Sequence, residues 1–128
     1  MALQLWKDRD RRHPDPALFS SKAEEFARKI SNEANRQRNK GTQLRKFFDE
    51  ILRLDTLARA QGADWDLILP QVHMVIAKAA YAQGRGLVSE SFVNHIKEGI
   101  NQIEVKEDLH VFCNHLEAFI GFYKLYKD

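Results

Sequence analysis

Residues 40–48 read Lys-Gly-Thr-Gln-Leu-Arg-Lys-Phe-Phe, and the reading of this stretch decides the fold class. Gly41 closes the segment before it. Thr42 is a good helix N-cap, because its side-chain oxygen accepts from amides of the next turn. From Leu44 onward the apolar residues recur at helical spacing: Leu44, Phe47, Phe48, Ile51, Leu54 and Ala58. At about 100° per residue, Thr42, Arg45, Lys46, Asp49 and Arg53 project from the opposite face. Upstream, Asn35-Arg36-Gln37-Arg38-Asn39-Lys40 is a polar loop with three cations. A helix start with unpaired amides, a partial positive dipole and flanking Lys and Arg is chemically a phosphate site. The same residues also read as a capped helix with solvated charges. They do not form a nucleotide loop, because Lys-Gly-Thr lacks the upstream glycine and the strand of a P-loop.

Working outward, the same period recurs on both sides. Residues 1–20 mix charge with Leu3, Leu5 and Trp6 before His13-Pro14-Asp15-Pro16, and read as a mobile arm that docks through Trp6 on its own domain or on a neighbour. Ser21-Lys22-Ala23-Glu24 has the form of a capping box, with Ala23, Phe26, Ala27, Ile30 and Ala34 as the apolar side of a first helix. The second helix is expected from about Gln43 to Gln61, ending at Gly62. Asp64-Trp65-Asp66 opens a third, in which Pro70 marks a first turn or a kink. Its inner face is expected to hold Val72, Ile76, Ala79, Ala80 and Gln83, with Lys78, Tyr81 and Arg85 nearly opposite. That cationic stripe with one aromatic suits a nucleic-acid backbone and a stacking base. Equally, Arg85 can close a helix C-terminus between Gly84 and Gly86. Ser89 or Ser91 caps a fourth helix with Phe92, Val93, Ile96, Ile100 and Ile103. A fifth, from about Lys106 to Lys127, carries Leu109, Phe112, Cys113, Leu116, Phe119, Ile120 and Tyr123, with Phe122 and Tyr126 beyond that stripe. One stripe cannot hide all these rings, so part of the helix is expected to face a further helix layer or another subunit. Phe122 and Tyr126 are the expected exposed contacts.

The expectation is therefore all-α: a single compact bundle of about five helices over residues 21–128. Its core is expected to include Phe47, Ile51, Val72, Ile76, Phe92, Ile96, Phe112, Leu116 and Phe119. A chain of 128 residues is one domain of ordinary soluble composition, 44% apolar and 30% charged. The single cysteine, Cys113, excludes an internal disulfide and suits a reducing cytoplasm. No apolar run approaches a membrane span of about 20 residues, and the start lacks the apolar core of a secretory signal. A prokaryotic cytoplasmic location and no membrane partner are expected. The net charge of +2 conceals an asymmetry: residues 1–46 hold 12 Lys and Arg against 6 Asp and Glu, the remainder 8 against 12. A segregated basic end suggests an anionic partner.

Catalytic sets do not assemble. In His110-x-x-Cys113-x-His115 the first two share a helix face, but position 115 lies about 140° from the direction of 110. Tetrahedral zinc needs four convergent ligands. Asp64 and Asp66 read as helix-start chemistry. There is no His-Glu-x-x-His and no nucleophile elbow. The expectation is no enzyme, no catalytic residue, no metal and no cofactor.

Three stretches, in order, resemble one family. Thr42-Gln43-Leu44-Arg45-Lys46-Phe47-Phe48, Lys78-Ala79-Ala80-Tyr81-Ala82-Gln83-Gly84-Arg85 and Glu117-Ala118-Phe119-Ile120-Gly121-Phe122-Tyr123-Lys124 are similar to signatures of the small helical subunit of the type III-A (Csm-type) CRISPR effector complex. Phe48 stands where the family usually has tyrosine, Ala77 where proline often precedes the lysine, and Phe122 and Tyr123 replace commoner residues. The resemblance implies a non-catalytic subunit of an antiviral ribonucleoprotein, present in several copies. It would contact other subunits, further copies of itself, and the backbone of the duplex of guide RNA (crRNA) and target RNA. It also implies an RNA-binding set of Lys40, Thr42, Gln43, Arg45, Lys46, Lys78, Tyr81 and Arg85, reading phosphate and sugar without base specificity. The competing readings are the small subunit of a type III-B complex, a helix-turn-helix DNA-binding regulator and a structural adaptor. The Gln-Leu-Arg-Lys and Ala-Tyr-Ala-x-Gly-Arg strings favour III-A. No compact helix-turn-helix with a polar second helix is present.

Overall fold

The computed structural model describes residues 3–10 and 13–127. Among the described residues there are five α-helices: α1 (Ser21–Asn32), α2 (Gly41–Arg59), α3 (Trp65–Gly84), α4 (Glu90–Ile100) and α5 (Lys106–Tyr126). Ahead of them lie two short antiparallel strands, β1 (Trp6–Asp8) and β2 (His13–Pro14), and a single 3-10 turn over Pro16–Phe19. Asp15 caps that turn by accepting from the Ala17 amide at 3.0 Å.

The last helix is the centre of the bundle. α1 and α2 pack along it, and α4 meets it where Gly99 lies against the Phe112 ring. Leu109, Phe112, Cys113, Leu116, Phe119 and Tyr123 are buried on one side, and Asp108, Val111 and His115 on the other. A helix covered over so much of its circumference needs aromatics beyond one stripe, and here the second layer is α1 of the same chain. Phe122 and Tyr126, expected as exposed contacts, are half-buried instead. The Tyr126 hydroxyl donates to Glu24 at 2.9 Å, and Arg28 sits 5.8 Å over its ring.

α3 lies at the edge, packed only on α2 and α4 among the major contacts. Its buried positions are Ile68, Val72, Val75, Ala79 and Ala82. The expected inner face was therefore turned too far: Ile76 and Gln83 are half-buried and Ala80 is exposed. So many apolar residues surround this helix that several stripes fit the period equally well, and packing selects one. Pro70 stands inside α3, beyond its first turn, on the exposed side. The remaining expected core residues, Phe47, Ile51, Val72, Phe92, Ile96, Phe112, Leu116 and Phe119, are buried.

Two expected caps are replaced. α1 is capped at Ser20 without a side-chain bond, so the Ser21–Glu24 box does not form; Glu24 turns to Tyr126 and Arg28 instead. α2 begins two residues earlier than expected, with Lys40 at the N-cap and Thr42 inside the first turn.

Within residues 1–20, the described part lies against the helices. Leu3, Leu5, Trp6 and Leu18 are buried. The Gln102 side chain accepts from the Leu5 amide at 3.0 Å and donates to the Leu3 carbonyl at 2.6 Å, so one side chain satisfies two backbone groups just ahead of β1. Trp6 donates through Nε1 to Asp108 Oδ1 at 2.7 Å, so the docking surface for Trp6 is its own domain.

Candidate nucleic-acid interface

The basic loop and the end of α3 are fastened together by one residue, Asn39. Its backbone is left-handed, φ 60°, a conformation that Asn tolerates better than most residues. It is 1% exposed, yet its polar groups are matched. Its amide donates to Leu87 O at 2.9 Å, and its carbonyl accepts from the Tyr123 hydroxyl at 2.5 Å. Nδ2 donates to Ile30 O and Ser89 Oγ, both at 3.1 Å, while Oδ1 accepts from the Ser89 amide at 2.9 Å. The end of α1, the start of α2, the α3–α4 turn and α5 therefore meet at one buried amide.

The loop before Asn39 is an Asx turn. Asn35 Oδ1 accepts from the amides of Gln37 at 2.9 Å and Arg38 at 2.6 Å, leaving Arg36, Gln37 and Arg38 exposed. Gln37 Nε2 lies 3.5 Å from the Arg85 carbonyl, which ties this loop to the end of α3. There the chain closes in a Schellman arrangement. Gly86 has φ 75°, its amide donates to Gln83 O, and that of Leu87 to Ala82 O, each at 2.9 Å. Arg85 is the C-cap, and its guanidinium stands 5.8 Å over the Tyr81 ring, which is 68% exposed.

At the start of α2, the amides of Gln43 and Leu44 both donate to Lys40 O, at 2.9 and 3.0 Å. The amides of Gly41 and Thr42, ahead of these, have no partner among the described residues. Lys40 and Lys46 make no ion pair with the described residues. Arg45 reaches Asp49 only at 3.9 Å, with both side chains more than half exposed. Between α2 and α3, Lys78 Nζ is 3.5 Å from Glu50 Oε2, and Arg53 holds the same oxygen at 2.8 Å. The bond from Arg53, then the Lys78 charge, outweigh burial and hold the Glu50 carboxyl below its ordinary value.

These contacts sort the expected RNA-binding residues. Lys46 is four residues before Glu50 and so on the α3 side of α2, with Gln43 one turn earlier. Lys78, Tyr81 and Arg85 form one stripe on α3. Lys40 stands at the joined ends. Arg45 is turned about 100° from Lys46, on the outer side of α2, whereas Thr42, four residues before Lys46, lies within about 40° of it. Sequence reasoning missed Asn39 and Glu50. A lone Asn in a basic loop carries no period. Glu50, by contrast, was legible as the carboxylate three and four residues from Arg53 and Lys46. Arg36 and Arg38 belong to the same exposed edge.

Elsewhere the His and Cys residues diverge. His110 Nδ1 is 3.0 Å from Asp55 Oδ2, while His115 points to Leu18 and His95. Burial pushes the Cys113 thiol up to about 12. Among the described residues no group of three or more His, Cys, Asp or Glu is placed to hold a metal ion, and no helix is long and apolar enough to cross a membrane.

Residues 14–128 match the family described as Csm2 Type III-A, a span that takes in the 3-10 turn, all five helices and the interface above. No curated protein and no solved structure matches the chain.

Proposed function

This chain belongs to the Csm2 Type III-A family, and is thus a small subunit of a type III-A CRISPR effector complex; from that premise we propose that it grips the backbone of the guide–target RNA duplex without reading bases and without catalysing cleavage. The observation that carries the proposal is the Asn39 clamp. It joins the start of α2 to the end of α3, so that Lys40, Gln43, Lys46, Lys78, Tyr81 and Arg85 border one exposed face. Cations there neutralise phosphates, the Gly41 and Thr42 amides add a helix-start dipole, and Tyr81 offers a ring face. Phosphates are alike along a strand, so affinity follows duplex geometry rather than sequence. Arg45 serves a neighbouring strand segment or none, and Thr42 adds its hydroxyl beside Lys46.

The test compares Lys46→Glu with Arg45→Glu in the assembled complex, measuring retention of target RNA over a salt series after helicity and assembly are checked. Lys46→Glu is expected to lower the slope of log K against log salt by about 0.7–0.9, and Arg45→Glu by less. An unchanged slope with Lys46→Glu would leave this face a solvated helix pair.

As a working location we place it in the prokaryotic cytoplasm, in several copies per complex. The contact between copies is proposed on α3 rather than on Phe122 and Tyr126, since Leu67 and Met74 are 67% and 55% exposed on one stripe. Leu67→Ser with Met74→Ser should weaken copy-to-copy association in sedimentation; undiminished association removes this face.

A further inference from the structure

On the α1–α4–α5 side, two imidazoles meet. His95 of α4 and His115 of α5 bring Nε2 to Nε2 at 2.8 Å. His115 Nδ1 is 2.7 Å from the Leu18 carbonyl, which can only accept. His115 therefore keeps its proton on Nδ1 and presents a lone pair at Nε2. His95 must in turn carry its proton on Nε2 and donate it. One backbone carbonyl thus fixes both tautomers. Phe26 of α1 stacks on His95 with ring centroids 3.5 Å apart and planes at 15°. The two rings line a cavity of about 600 Å³ whose wall includes Leu3 and Gln4 of the N-terminal segment.

We propose that the His95–His115 pair is an acid-operated latch on the N-terminal segment, holding it through Leu18 near neutral pH and releasing it when both rings are protonated. A first proton can be shared along the Nε2–Nε2 line. A second places two N–H donors face to face at 2.8 Å with no acceptor between them, and the rings must part. Phe26 stacks on His95, and His115, wholly buried, is held on its other nitrogen by the Leu18 carbonyl, so the repulsion is set against the Leu18 bond. The charged groups around the pair are mixed. From α1, Lys22 and Lys29 oppose a cation and Glu25 favours one; from α4, Glu98 favours one. Lys22 is engaged by Asp15 at 2.7 Å, and Glu98 lies 3.4 Å from the Leu3 amide. The 3-10 turn contributes the Leu18 carbonyl, and Leu3 and Gln4 are uncharged. Burial, then His115 and Lys29, hold His95 well below the ordinary 6.5; burial lowers His115 despite the Leu18 carbonyl. Both folded values thus lie below the unfolded one. The pair's contribution is complete above the ordinary value of 6.5 and declines as pH falls from there through the folded values.

The experiment uses the full chain with Trp65→Phe, so that Trp6 reports on the N-terminal segment. Trp6 fluorescence and far-ultraviolet ellipticity are followed from about pH 7.5 to about pH 4.5, the range in which histidine titrates. Asp108, which holds the indole, has its own carboxyl below 3.8 and stays ionised there. The expected result is a Trp6 transition below 6.5 that takes up two protons while helicity is unchanged. In His115→Asn, whose amide can donate to Leu18 but cannot titrate, that transition should vanish. A flat Trp6 signal, or a transition that survives His115→Asn, overturns the latch. Should that variant fail to fold, the imidazole ¹⁵N spectrum of the native chain near pH 7.5 decides. His115 as the Nδ1–H tautomer and His95 as Nε2–H support the latch, and any other assignment refutes it.

Discussion

Replacing Asn39 separates backbone strain from buried hydrogen bonding at a single position. In Asn39→Ala the Ser89 amide loses its acceptor inside the protein, about 1–3 kcal/mol. The two bonds from Nδ2 add about 0.5–1.5 kcal/mol each. Ala at φ 60° costs about 1–2 kcal/mol more, a strain that Gly does not carry. Asn39→Ala should therefore destabilise by about 4–5 kcal/mol and Asn39→Gly by about 3. With a urea dependence of about 2 kcal/mol per molar, typical of a small domain, the midpoint falls by roughly 2 M for Ala and about 1.5 M for Gly. Urea titration followed by ellipticity measures both. A loss below about 1 kcal/mol for Ala, or Gly no better than Ala, would refute the clamp as described.

Gly99→Ala should destabilise by about 1–3 kcal/mol despite better helix propensity, because the new methyl group would run into the fully buried Phe112 ring. Combining it with Phe112→Leu should recover part of the loss, and a neutral Gly99→Ala would contradict the close α4–α5 approach. Asp108 is wholly buried; desolvation raises its carboxyl, but the amides of Glu104 and Val105, the Trp6 indole and Arg9 together hold it below 3.8. Its contribution is present above that value and is lost as pH falls through the folded one. Asp108→Asn should therefore cost about 3 kcal/mol near neutrality, with the gap from the native chain closing below about pH 4 in urea titrations.

Periodic features were legible and singular ones were not. α2, α4 and α5 follow from apolar residues at three and four spacing, since nothing else explains Leu44, Phe47, Ile51 and Leu54 on one line. α3 was found, but its rotation was misjudged, because Val75 and Ile76 are equally apolar and only packing distinguishes them. Caps were less secure: Thr42 and Ser21 have the right chemistry, yet the chain enters each helix one or two residues earlier. Asn39 and the His95–His115 pair unite residues 50 and 20 positions apart, and no local pattern foretells such meetings. The cationic stripe on α3 was legible residue by residue. That Lys46 shares its side, and Arg45 does not, required the Lys78–Glu50 bridge.

Glu50 gives that bridge a consequence for how tightly the face can hold an anion. A salt-dependent grip draws its strength from mobile ions set free when phosphate arrives. Lys78 and Arg53 already share a carboxylate that is tethered to α2 and cannot diffuse away. In the proposed grip, phosphate reaching Lys78 must therefore compete with a resident anion and liberates little in doing so, whereas Lys40 and Lys46 have no ion-pair partner among the described residues. The lysines of this surface thus differ in kind: in the proposed grip Lys40 and Lys46 tune attraction to ionic strength, while Lys78 sets a fixed threshold that weak polyanions do not pass. On the proposed reading, Glu50→Gln would make Lys78 behave like Lys40 and Lys46, giving a grip both tighter and less discriminating toward nucleic acid in general.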